Sequence, residues 1–157
     1  MNAAPIAVFA FNRPDLFART LAALAANELA EQSSLTIFCD GPRHEGDEAG
    51  TRAVRDLARH ATGFASLEVV ERPRNMGCAA SVIDGLTEMF RRHERLIVIE
   101  DDILTSPHTL RFLNEGLERH AEDVQADGPL PAGGTSCPLH PSPPQNLTLH
   151  QQRSSLP

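Results

Sequence analysis

The stretch RLIVIEDDILTSP, residues 95–107, decides the fold. An apolar run, Leu96 to Ile99, ends abruptly in three acids, Glu100, Asp101 and Asp102. Such a short continuous run reads as a strand covered by helices on both faces. Three like charges directly after it repel one another, so that end of the strand needs compensating positive charge.

Three earlier stretches repeat the pattern. PIAVFAF (5–11) is an apolar strand, and the segment after it places Leu16, Phe17, Thr20, Leu21 and Leu24 on one helical face, with Pro14 near the first helical position. SLTIFCDG (34–41) reads as a second strand closed by an Asp-Gly turn. GDEAGTRAVRDLARHA reads as the helix after it, with acids in its first turn and Arg and His in its last. SLEVVERP (66–73) is a third strand, stopped by Pro73, and the helix after it runs from a glycine turn to about His93. After the fourth strand, Ser106 and Pro107 are expected to cap and start a last helix. Strands separated by helix-length segments pair in parallel through right-handed crossovers. The fold class is therefore α/β, a doubly wound, mostly parallel open sheet.

The composition bounds what such a sheet can do. The net charge of −7 disfavours nucleic-acid binding, which needs clustered basic residues. There is no long apolar span and no basic-plus-apolar leader, so the expectation is a cytoplasmic protein without a transmembrane segment. Three cysteines without a CxxC pair argue against zinc or a disulfide framework, and Cys39 and Cys78 read as small core residues. Residues 1–126 carry the alternating pattern. Residues 127–157 hold seven of the twelve prolines and show no periodicity, so that tail is expected to be disordered. Its composition reads as an out-of-frame or prematurely ended translation, with a natural linker as the alternative.

Ligands of doubly wound sheets sit beyond the carboxyl ends of the strands. Those ends read FNRPD, CDGPR, ERPRNMG and EDD, so every strand delivers charged or polar residues to one edge. Taken singly, Asp40 is a turn former and Asn75-x-Gly77 a turn and cap. Taken jointly, acids on that edge ask for a cation and the arginines suit a phosphate. A metal-bound nucleotide diphosphate answers both, because Mg2+ and Mn2+ favour one or two carboxylates with phosphate oxygens completing the shell. Successive strand residues face opposite ways, so Asp101 and Asp102 should not share one ion unless the strand has ended.

FNRPDLFARTLAAL, CDG, RPRNMGCAASVIDGL and IVIEDDI, in order and at strand ends, resemble nucleotide-sugar glycosyltransferases of the GT-A fold, around N-acetylglucosaminyltransferase I and its bacterial relatives. The resemblance covers about residues 5–123. It implies the Rossmann-like nucleotide-binding half of that fold and a UDP-sugar donor held with Mn2+ or Mg2+. Asp102 would be the principal metal ligand, Asp101 would lie near the ribose or sugar, and Glu100 would support the motif. Asp40 would accept from the uracil edge, and Asn12 and Arg13 in the first loop would meet the nucleotide. Arg72 or Arg74 would lie near the base or diphosphate, and Asn75 and Gly77 would shape the loop into the third helix. The complete enzymes would transfer a hexosyl or N-acetylhexosaminyl group to an acceptor hydroxyl, but the regular pattern here stops near residues 123–126, before an acceptor half and its catalytic base. A chain so reduced is expected to bind donor with impaired or no transfer. The alternatives are a nucleotidyltransferase-like domain, against which the lack of a glycine in FNRPD counts, and a non-catalytic nucleotide-binding α/β module.

Overall fold

A computed structural model describes residues 3–121. The expectations for the tail, its disorder, its boundary at 126 and its out-of-frame origin, lie outside the described residues.

The element order is β1 (Ile6–Ala10), α1 (Pro14–Ala25), β2 (Ser34–Cys39), α2 (Glu48–Arg59), β3 (Ser66–Glu71), α3 (Cys78–Phe90), β4 (Ile97–Glu100) and α4 (Thr109–Ala121). The four strands form one parallel sheet in the order β3-β2-β1-β4. Register aligns the strand ends: Ala10 lies opposite Cys39, Cys39 opposite Glu71, and Phe9 opposite Glu100. The α/β, doubly wound reading of the sequence is what the structure shows.

Strand alternation sorts the core into two layers. Ile6, Val8 and Ala10 of β1 join Phe17, Leu21 and Leu24 of α1, Val54 and Ala58 of α2, and Leu110 of α4. Ala7 and Phe9 face the other way and meet Phe38 and Met89, with Val82 and Leu86 of α3 packed against them. Each fully buried large side chain among these contributes about 1.5–3 kcal/mol. α4 docks through two buried amides: Asn114 accepts from the Ala4 N–H at 2.8 Å, and Asn27 accepts from the Leu110 N–H at 3.0 Å.

Three local expectations are corrected. The run 96–99 is not buried on both faces: Ile97 and Ile99 are buried, but Val98 is 42% exposed. The reason is coverage. α3 is the one described helix on that side, its Gly85 rests against Phe9 and Phe38 over β1 and β2, and β4 lies at the sheet's edge. The last helix begins at Thr109, not at Pro107. The Pro107 carbonyl is drawn aside to accept from the Glu28 N–H at 2.8 Å, and Ser106 instead forms a turn closed by Thr109. Cys39 is buried as expected, its thiol pushed up to about 12 chiefly by desolvation, whereas Cys78 is exposed because it opens α3 at the sheet's carboxyl edge. No described helix is long and apolar enough to cross a membrane.

The closeness of α3 to the sheet is testable at Gly85. A Cβ there would sit 2.6 Å from Phe9 Cε1, and that ring is pinned by stacking on Phe38 at a centroid distance of 5.0 Å. Overpacking costs about 1–3 kcal/mol, against a helix-propensity gain of about 1 kcal/mol for alanine. Gly85→Ala is expected to lower stability by up to about 2 kcal/mol net in urea denaturation; a rise in the midpoint, the propensity gain showing alone, would mean that α3 packs more loosely.

Candidate functional site

The aligned strand ends bring four loops to one edge, and between them and the first turn of α3 lies a cavity of about 420 Å3. Asn12, Arg13, Asp40 and Asn75 line it, as do Gly77, Glu100 and Asp101. Arg72, Arg74 and Asp102 do not.

Asp40 follows β2 and is 5% exposed. Its carboxylate accepts from the N–H of Gly41 (2.9 Å), Met76 (2.9 Å) and Gly77 (3.1 Å) and from the side-chain amide of Asn75 (3.0 Å). A buried charge is tolerable only with such donors. The consequence is a clamp: the 74–77 segment is tied down across the end of β2. Gly41 is obligatory to that contact, since a Cβ there would lie 2.4 Å from the Arg74 carbonyl carbon.

Arg13 follows β1 and answers the charge crowding at the end of β4. One arm of its guanidinium donates to Asp101 Oδ1 and the other to Asp102 Oδ2 at 3.0 Å. The strand has ended at Glu100, so the two acids lie in a turn and share one cation. Asp101 is 3% exposed, and its carbonyl accepts from Thr20 Oγ1 at 2.9 Å, fixing the turn on α1. Hydrogen bonding to Asp101, opposed by partial burial and aided by the charge of both acids, raises the Arg13 pKa above its ordinary value. Glu100, on the α3 face of β4, has no hydrogen bond or ion pair to its carboxylate among the described residues.

The two remaining candidate arginines are placed differently. Arg72 reaches Asp84 on α3 at 2.5 Å and lies over the Phe38 ring at 5.7 Å, which ties the end of β3 to α3. The Arg74 side chain is exposed, and its backbone packs on Gly41.

Sequence reasoning missed a second acidic hub and part of the cavity wall. Asp47, just before α2, is 4% exposed and accepts from Arg43 Nε (2.9 Å) and Nη2 (3.2 Å), the Arg43 N–H (3.2 Å) and Asn12 Nδ2 (2.6 Å). In sequence it is one acid among several at a helix start. Arg43, whose guanidinium covers the Phe11 ring at 4.9 Å, lines the cavity together with Phe11, Cys78 and Ser81. Arg43 was visible in CDGPR; nothing in the pattern marked Ser81.

A hard divalent ion suits the oxygen chemistry of Glu100, Asp101 and Asp102. Among the described residues, however, no three His, Cys, Asp or Glu side chains converge to hold one. The donors that fit are the half-exposed carboxylate of Asp102 and oxygens brought by a ligand.

No protein-family model matches the chain, and no curated protein sequence does. Among solved structures, the crystal structure of S. aureus TarS, a glycosyltransferase, matches with a TM-score of 0.55 at 12% identity, over 74% of this chain and 20% of that one. The likeness is one of fold, and the chain spans about one fifth of TarS.

Two outcomes follow from these hubs. Asp40→Ala strands the N–H groups of Gly41, Met76 and Gly77, each an unsatisfied donor at about 1–3 kcal/mol. Amide exchange at Met76 and Gly77 is expected to accelerate well before global unfolding; protection equal to wild type would remove the clamp. The second concerns pH. Hydrogen bonding to Arg43 leads the lowering of the Asp47 pKa from 3.8 to about 2. A depressed carboxylate pKa stabilises the fold above the unfolded value, and that contribution disappears as pH falls through the folded one. Wild type is therefore expected to lose stability between about pH 4 and pH 2, and Asp47→Asn to show a shallower slope there in denaturant titrations; equal slopes would contradict it.

Proposed function

We propose that this chain is the donor-binding part of a glycosyltransferase that takes a UDP-sugar. The observation that carries the reading is the cavity at the carboxyl edge of a parallel sheet, lined by carboxylates, arginines and carboxamides drawn from all four strand ends. The fold likeness to TarS supports it.

In this reading Asn12, Arg13, Asn75, Gly77, Glu100 and Asp101 surround the nucleotide sugar, and Asp40 holds the loop that carries Asn75 and Gly77. Arg74 stands on that same loop, just before Asn75, and is the one of the two arginines whose side chain has no other anchor to give up. Asp102 would hold Mn2+ or Mg2+ together with diphosphate oxygens. A divalent ion bound there supplies the charge that lets the diphosphate leave. Arg13 keeps Asp101 and Asp102 in place by removing their mutual repulsion, and Glu100 offers an acceptor to sugar or ribose hydroxyls. Transfer to an acceptor hydroxyl belongs to the complete enzyme. The nucleotidyltransferase and non-catalytic readings have no observation in their favour that this one lacks.

Titration calorimetry of the full chain with UDP tests it. Binding is expected in Mn2+, weakened at least about tenfold, ~1.4 kcal/mol, by excess EDTA and by Asp102→Asn. No UDP binding in either condition, or identical affinity in all three samples, would overturn the reading.

A further inference from the structure

Two polar groups of the cavity stand in opposite conditions. Asp40, the residue from which a base contact is expected, has nothing left to offer. A carboxylate has about four lone-pair directions, and the N–H groups of Gly41, Met76 and Gly77 with the Asn75 amide take them up. Ser81 is the reverse. It is 5% exposed, it lines the cavity, and its hydroxyl has no hydrogen-bond partner among the described residues.

That condition is unusual for the fold. Buried Thr20, Ser33 and Thr51 all donate to backbone carbonyls, and Thr87 on the same helix bonds the Ile83 carbonyl one turn back. Thr36, equally buried, also lacks a partner, but it does not line the cavity. Ser81 lies in the first turn of α3, which has no side-chain cap and no acid, so the unpaired N–H groups of that turn face the same edge. The Ser81 hydroxyl thus keeps its donor and acceptor capacity for whatever enters the cavity it lines.

The surroundings select the ligand's chemistry. Phe9, Phe11 and Val82 give the cavity apolar wall. Both cavity arginines are already paired, Arg13 with Asp101 and Asp102 and Arg43 with Asp47, whereas the Glu100 carboxylate is unpaired. The free side-chain capacity thus suits a neutral, flat, hydrogen-bonding group better than an anion. We infer that Ser81 is the direct hydrogen-bond partner of a planar nitrogen heterocycle, the base of the nucleotide, and that Asp40 is a positioning residue that acts through the 75–77 loop. The inference rests on the nucleotide-sugar reading of the same cavity.

The experiment titrates the full chain, wild type and Ser81→Ala, with UDP, uridine, adenosine and pyrophosphate, all with Mn2+. Loss of one hydrogen bond is expected to weaken UDP and nucleoside binding about tenfold and to leave pyrophosphate affinity unchanged. Alanine is the better helix former, so Ser81→Ala should fold, and circular dichroism checks it. Wild-type affinity for UDP in Ser81→Ala, or an equal loss for pyrophosphate, overturns the role of Ser81 while the donor reading stands. Nucleoside binding that Ser81→Ala weakens, without any metal-dependent gain for UDP, supports Ser81 and overturns the donor reading. Binding of none of the four by wild type overturns both.

Discussion

A carboxylate buried at the end of a strand must find donors, because an uncompensated charge there costs several kcal/mol. The carboxyl edge of this sheet holds three such groups, Asp40, Asp47 and Asp101, each no more than 5% exposed. None is answered from its own strand or helix. Asp40 takes its donors largely from the loop before α3, Asp47 from Arg43 and Asn12, and Asp101 from Arg13. The loop after β1 is therefore pulled in two directions, Asn12 toward the start of α2 and Arg13 toward the end of β4. Two neighbouring residues span the mouth of the cavity because two acids on opposite sides of it require them. The site is shaped by charge compensation before any ligand arrives.

The strands were legible because short uninterrupted apolar runs fit little but a buried strand in a chain that alternates them with helix-length segments. Their order and exposure were not. A run such as Leu96 to Ile99 has the same composition whether it lies at the centre or at the edge, and Val98 shows which only once α3 is seen to cover β1 and β2. Residue types at the strand ends were legible for a related reason, since parallel register collects them at one edge. Partners were not legible. Arg72 and Arg13 look alike in sequence, yet one folds back on Phe38 and Asp84 while the other bridges two acids. Asp47 passed as an ordinary helix-start acid. Ser81 passed as a small residue on a helix, and only its unpaired hydroxyl in the cavity wall distinguishes it.

The asymmetry of the layers explains why the cavity opens on one side of the sheet. α1, α2 and α4 pack together on the face carrying Ile6, Val8 and Ala10, and α1 starts at once after β1, with Pro14 at its first position. Thr20 then bonds the Asp101 carbonyl, which closes that side at the strand ends. On the opposite face α3 is the one described helix, and six residues separate it from β3. That connection runs back across the edge under the hold of Asp40 and enters α3 through Gly77, whose φ of 80° and ψ of 155° suit only glycine.

The cavity is therefore bounded by a loop that is bent at Gly77 and clamped by Asp40. The clamp sets where Gly77, Cys78 and Ser81 stand in the cavity wall. The position of the unpaired Ser81 hydroxyl is thus fixed from both sides: Gly85, one turn on, presses α3 against Phe9 and Phe38, and the Asn75–Gly77 segment is bound to β2. In the proposed nucleotide site, a polar group placed this firmly, with its hydrogen-bonding capacity unspent, would meet its ligand preorganised, the cost of orienting the contact being met during folding and not on binding.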